Sequence, residues 1–145
     1  MKTKADHIVP LCKQAIEALQ SLYPLTGNRQ YAFPSARSHK RPMSDNAVLS
    51  ALRRLGIPKE QMTGHGFRAM ARTLLDEELG YRIEWIECQL AHAVKDANGR
   101  AYNRTTYLKQ RKDMMQHWAD YLDSLKAEAL NTNILAVNFP YLRQK

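Results

Sequence analysis

The sequence predicts a mainly α-helical fold, a helical bundle with a small β-hairpin remnant at its N-terminus. Three observations carry that expectation. Apolar residues recur three and four apart in five stretches between residues 11 and 127, the periodicity of helices with one buried face. Extended apolar runs are few and short. At 145 residues the chain is one domain by length, large enough to bury most of its apolar surface without metal or disulfide staples.

His7-Ile8-Val9-Pro10 reads as a short extended segment, with Met1–Asp6 as the other arm of a hairpin. Ala15, Ile16, Leu19 and Leu22 predict a helix over 11–22, stopped by Tyr23-Pro24 and Gly27-Asn28. Tyr31–Pro34 suits a brief strand, and Ser35–Pro42 a polar, basic loop holding Arg37, Lys40 and Arg41. Ser44 is placed as the N-cap of a helix whose stripe is Ala47, Val48, Ala51, Leu52 and Leu55, ended by Gly56 and Pro58. The next helix begins near Gly66, buries Phe67, Met70, Leu74 and Leu75, and stops around Gly80. A short helix follows at 83–91, then a loop over Val94–Arg100. From Asn103 to about Ala127 the pattern is one long helix, with Tyr107, Leu108, Met114, Met115, Trp118, Tyr121, Leu122 and Leu125 on one side. Residues 1–127 thus form one body, and 128–145 a tail whose Ile134–Phe139 run is apolar and extended in preference.

The formal charge of +8 makes a polyanion the natural partner. The excess is uneven, since residues 1–54 hold nine Lys/Arg against three acids. A basic N-terminal half reads as a nucleic-acid face, with Arg37, Lys40 and Arg41 suited to phosphate contacts rather than base reading. Cys12 and Cys88 make no disulfide framework, so a reducing cytoplasm is the simpler compartment. No apolar run approaches membrane-spanning length and no signal-peptide pattern opens the chain.

The chemistry concentrates in three short phrases. Thr63-Gly64-His65-Gly66-Phe67-Arg68 is followed by Leu90-Ala91-His92 and then by Ala101-Tyr102-Asn103-Arg104. His65 and Arg68, three apart, share a helix face, near a helix N-terminus that already favours an anion. Attack on a phosphodiester builds negative charge on the phosphate oxygens, so cations and donors must meet it and an acid must serve the leaving group. Arg68 offers a planar fork that stays charged. His65 and His92 can donate hydrogen bonds or move protons near neutral pH. A tyrosine phenol, with a pKa of about 10, needs its phenolate stabilised to act as nucleophile. Tyr102 stands ahead of Tyr107 for that role because Tyr107 falls on an apolar stripe, and Tyr31, Tyr121 and Tyr141 read as packing residues. Cys88 and His92 are four apart, but zinc needs further ligands at fixed spacing and none appear, so no metal and no cofactor is expected.

In this order the phrases His65-Gly66-Phe67-Arg68, Leu90-Ala91-His92 and Ala101-Tyr102 closely resemble the motifs of the tyrosine recombinases, the phage-integrase family. The wording is nearest to the satellite-phage-type integrases of bacterial genomic islands. His7–Leu11, Pro24–Gly27, Arg41–Ser44, Arg111–Met115 and Trp118–Leu122 extend the match, over roughly residues 1–125. The resemblance implies the C-terminal part of a tyrosine-recombinase catalytic domain and site-specific integration or excision of a mobile element. Tyr102 would attack the scissile phosphate to give a 3′-phosphotyrosyl link, with Arg68, His65 and His92 around the phosphate. Lys2, eight residues before Pro10, would be the general acid for the leaving 5′-oxygen; Lys4 competes for that role and is otherwise a DNA contact.

Double-stranded attachment sites, a homotetramer on DNA and accessory DNA-bending proteins are the partners such a family implies. It also implies a bacterial cytoplasmic location at the nucleoid, no membrane association, and a C-terminal tail passed between protomers. The family's other arginine, upstream of the hairpin lysine, has no match here, so the chain alone is expected to be inactive or nearly so. Two rival readings follow: a non-catalytic DNA-binding or oligomerisation module derived from an integrase, and a basic helical interaction protein whose motifs match by accident.

Overall fold

The computed structural model of the protein describes residues 7–92 and 107–131. The element order is α1 (Lys13–Thr26), β1 (Pro34–Ser35), β2 (Ser38–Pro42), α2 (Ala47–Arg54), α3 (Gly64–Glu77), α4 (Ile83–Gln89) and α5 (Leu108–Asn131). The fold is therefore mainly α with one small antiparallel sheet. The described residues fall into two compact units, one of 7–12, 68–92 and 107–122 and the other of 13–67 and 123–131. Lys2, Lys4 and Tyr102 lie outside the described residues, as do the 94–100 loop and the 132–145 tail.

The first unit holds every buried residue among those described. Leu75 of α3, Ile86 of α4 and Met114 and Trp118 of α5 form the centre, with Ala71, Leu74, Leu79, Tyr81, Trp85, Leu90, Met115 and Tyr121 packed around them. Burying such side chains contributes about 1.5–3 kcal/mol each, so three helices close one core here. Tyr107 packs its ring 6.3 Å from that of Trp85, as a stripe residue should. Phe67, expected inside, is 41% exposed. It sits a full turn ahead of Ala71, the first residue of α3 that meets the core.

A charged group also lies in this core. Arg111 is fully buried, and its Nε donates to Gln89 Oε1 at 2.9 Å while a terminal nitrogen donates to the Ile8 carbonyl at 2.6 Å. Burial lowers its pKa, and the oxygens of Gln89 and Ile8 are two of the acceptors that meet its guanidinium. These bonds tether the segment before α1 to α4 and α5. His7 adds a bond of 3.2 Å from its Nε2 to the Gln89 carbonyl. His7–Pro10 forms no strand; the described strand pair is β1 with β2, and the other arm expected for the N-terminal hairpin lies outside the described residues.

In the second unit, α1 runs through Pro24 instead of stopping before it. A proline in the last turn removes one helical donor only, and the helix ends where the Gly27 N–H bonds the Tyr23 carbonyl at 2.7 Å. A Cβ at Gly27 would lie 2.6 Å from the Tyr23 ring, so only glycine fits there. The stretch read as a basic loop is the β1–β2 hairpin, with Pro34 opposite Pro42 and Ser35 opposite Ser38 around a bulge. Met43 N–H to the Phe33 carbonyl at 2.8 Å closes its open end. Polar residues of low strand preference hide such a hairpin from pattern reading.

Helix α2 starts at Ala47 with Asn46 as its N-cap, not Ser44, and Asn46 makes no side-chain cap bond. Its C-terminus is a Schellman motif: Gly56 takes φ 82°, its N–H bonds the Arg53 carbonyl at 3.0 Å, and Ile57 N–H bonds the Leu52 carbonyl at 3.0 Å. Helix α3 starts earlier than its glycine suggested. Thr63 caps it, its hydroxyl accepting the Gly66 N–H at 3.0 Å. Helix α5 starts later than Asn103, because Tyr107 has φ 61°, a left-handed conformation that no α-helix interior accommodates.

Candidate active site

The site is built on the C-terminal end of α4. That helix closes with a second Schellman motif: Ala91 N–H bonds the Cys88 carbonyl at 3.2 Å and His92 N–H bonds the Glu87 carbonyl at 3.0 Å. The left-handed position, normally glycine, is Ala91 at φ 55°. The reversal it makes brings His92 back beside Glu87, although five residues separate them along the chain.

Four side chains then line up through the first unit. His92 Nδ1 bonds Glu87 Oε2, and the second carboxylate oxygen, Oε1, accepts from Arg72 Nε at 2.6 Å. On its other side His92 Nε2 accepts from an Arg68 terminal nitrogen at 3.2 Å, and the same nitrogen donates to the Leu90 carbonyl. Arg68 and Arg72 come from one face of α3, four residues apart. His92 and Arg72 are each 45% exposed in their side chains, whereas Glu87 is only 16% exposed. Partial burial pushes the Glu87 carboxyl up, but its bonds and charges with Arg72 and His92 outweigh that and hold it below the ordinary carboxylate range.

The structure therefore brings Arg68 and His92 together across 24 positions of sequence. His65 is exposed in the first turn of α3, on the 13–67 side of the division between units. Cys88, four residues before His92, is buried, with its thiol pKa raised by burial. Among the described residues no group of three or more His, Cys, Asp or Glu could hold a metal. Glu87 and Arg72 were missed by sequence reasoning. Only the backbone reversal at Ala91 makes the former a neighbour of His92, and no periodicity announces it.

The basic residues of the hairpin behave differently. Arg37 and Arg41, with Arg54 of α2, line a cleft of about 740 Å³ in the second unit, together with Ser35, Ser38, Ser44 and Ser50. Lys40 is exposed on the hairpin but does not line it. Arg54 had a legible signal, since Ala47, Ser50 and Arg54 follow helical spacing on one face of α2.

A mainly helical domain that sets an arginine and a histidine side by side is one able to hold a phosphate. The family model described as the phage integrase family matches residues 1–109, and the chain belongs to that family. It is 45% identical over 127 residues to the prophage integrase IntZ of Escherichia coli K12, covering 88% of this chain and 31% of that protein. Against the integrase of Enterobacteria phage P4 it is 39% identical over 146 residues, covering 99% of this chain and 33% of that protein. The prophage integrase IntA of Escherichia coli K12 is 44% identical over 120 residues, 83% of this chain and 29% of that protein. The chain thus spans about a third of the length of these relatives. No solved structure matches it. Among the described residues no helix is long and apolar enough to cross a membrane.

Proposed function

We propose that this chain is the C-terminal part of the catalytic domain of a tyrosine site-specific recombinase. In this reading it cleaves and rejoins DNA at attachment sites to integrate or excise a mobile element. The pairing of Arg68 with His92 is the observation that carries it, since two phosphate-seeking groups far apart in sequence meet on an exposed surface. Arg68 turns its fork to two non-bridging oxygens of the scissile phosphate, and His65 and His92 donate to the same group. Tyr102 attacks phosphorus and forms the 3′-phosphotyrosyl link, while Lys2, or Lys4 in its place, gives a proton to the leaving 5′-oxygen. Arg37, Lys40 and Arg41 grip neighbouring phosphates. The tail from 128 docks on the next protomer of a DNA-bound tetramer, with DNA-bending proteins as candidate accessory partners.

No residue of the chain matches the family's upstream arginine, and one missing transition-state donor costs on the order of 10²–10³ in rate. A substrate that needs less charge compensation is therefore the right probe. Duplexes selected from a randomised pool for binding are remade with a nick and a neutral methylphosphonate at the scissile position. The expected result is a covalent protein–DNA adduct that survives denaturation and vanishes in Tyr102→Phe. Tight, salt-sensitive binding without an adduct favours the binding-module reading. Absence of both binding and adduct leaves the accidental-match reading.

A further inference from the structure

We propose that Glu87, clamped by Arg72, is the positioning residue that fixes the tautomer and ring orientation of His92, turning its Nε2 toward Arg68 and the anion site. A neutral imidazole carries one N–H, and the hydrogen bond made by one nitrogen decides what the other can do. Here the two contacts agree. Glu87 is a carboxylate, an acceptor only, so the proton belongs on Nδ1. Arg68 can only donate, so Nε2 must be bare when no anion is present. The ring cannot flip without losing both.

Glu87 is itself held from both sides. Its Oε1 accepts from Arg72 at 2.6 Å and its Oε2 meets His92, and it is mostly buried, with one oxygen for each partner. Its backbone carbonyl accepts the His92 N–H at 3.0 Å, so the same residue sets both the main chain and the side chain of His92. When a phosphate arrives and draws the Arg68 fork away, Nε2 is the nitrogen left facing it. A proton taken up there makes an imidazolium balanced by Glu87, and Nε2–H then donates to a phosphate oxygen. The bond made is Nε2–H; the proton comes from solvent, and Nδ1–H stays on Glu87 throughout.

The functional half of this inference rests on the strand-transfer reading above, but the tautomer half does not. The test is long-range proton–nitrogen NMR on the ¹⁵N-histidine-labelled chain at about pH 8, where imidazoles are largely neutral. His92 is assigned by its loss in His92→Gln. The expected spectrum is the Nδ1–H tautomer in the wild type and in Arg68→Ala, where Glu87 alone holds it, and a shift toward Nε2–H when Glu87→Ala is added to Arg68→Ala. Glu87→Gln, whose amide oxygen still accepts, keeps Nδ1–H while losing the charge. An Nε2–H tautomer in the wild type overturns the proposal, and that needs no variant to fold. So does a His92 tautomer that is the same in folded Arg68→Ala and in folded Arg68→Ala/Glu87→Ala.

On the methylphosphonate duplex, Glu87→Ala should slow adduct formation by about 10–100-fold with DNA affinity unchanged, the range seen where a metal-bound histidine loses its orienting partner. A wild-type chain that forms no adduct refutes the strand-transfer reading, and the tautomer spectra still decide Glu87.

Discussion

Replacing Ala91 by glycine should stabilise the protein. Ala91 closes α4 at φ 55°, and its N–H and that of His92 complete the pair of bonds to the Cys88 and Glu87 carbonyls. A Cβ in the left-handed region crowds the following carbonyl and costs roughly 1–2 kcal/mol. Glycine removes that crowding but gives the unfolded chain more freedom, worth about 0.4–1 kcal/mol against folding. The balance favours Ala91→Gly by about 0.5–1 kcal/mol.

Trp85 and Trp118, the two tryptophans of the chain, both lie in the unit that contains Ala91. Their fluorescence in a urea titration therefore reports that unit. With a slope of about 2 kcal/mol per molar, the midpoint should rise by about 0.3–0.5 M. Ala91→Val, β-branched and stiffer, should move it down instead. A midpoint that falls in Ala91→Gly, or rises in Ala91→Val, would refute the left-handed cap and with it the placement of His92 beside Glu87.

Arg111→Met should cost about 1–3 kcal/mol in the same titration, because it removes the donor from the part-buried bonds to the Ile8 carbonyl and the Gln89 amide oxygen; an unchanged midpoint would mean that the tether is not formed. Glu87 has a folded pKa depressed below the ordinary 4.5, so its contribution is present above that pH and is lost as the pH falls through the lower folded value. The acid limb of the stability curve should accordingly flatten in Glu87→Gln, and a limb of the same steepness would contradict the Arg72–Glu87–His92 arrangement. Arg54→Ala, in the serine-rich cleft with Arg37 and Arg41, should reduce the slope of log affinity for duplex DNA against log salt by about 0.9 if each arginine meets one phosphate. Lys59→Ala, an exposed lysine that does not line that cleft, should leave the slope unchanged.

What the sequence made legible was periodic or ordered. The stripe of Leu74 and Leu75 and that of Met114, Met115 and Trp118 announced the helices that build the core, and the order His65, Arg68, His92, Tyr102 announced the family. What stayed hidden depended on single backbone angles. Ser38–Pro42 is polar and basic, and it becomes a strand because the turn at Ala36 and Arg37 brings it back on Pro34 and Ser35. Ala91 looks like one more helix former, yet its positive φ ends α4 and sets the direction of His92. Arg111 stands in a charged run, yet it is fully buried, and the oxygens of Ile8 and Gln89 accept from it there.

These hidden features share a consequence for the site. Arg68 and Arg72 leave α3 one turn apart, and they are two cations that would repel unless a negative charge stood near. Glu87 supplies that charge to Arg72 directly, at 2.6 Å, and reaches Arg68 only through the ring of His92. One arginine is therefore neutralised by a carboxylate, and among the described residues the other is held by a carbonyl and an imidazole. An incoming phosphate offers Arg68 a charged, bidentate partner that neither of these can match, whereas Arg72 already has one. The placement of a single carboxylate thus sets one of two neighbouring arginines apart as the better candidate for an anion. That makes Arg72→Ala and Arg68→Ala separable experiments. The first should spare the affinity for inorganic phosphate, and the second should weaken it.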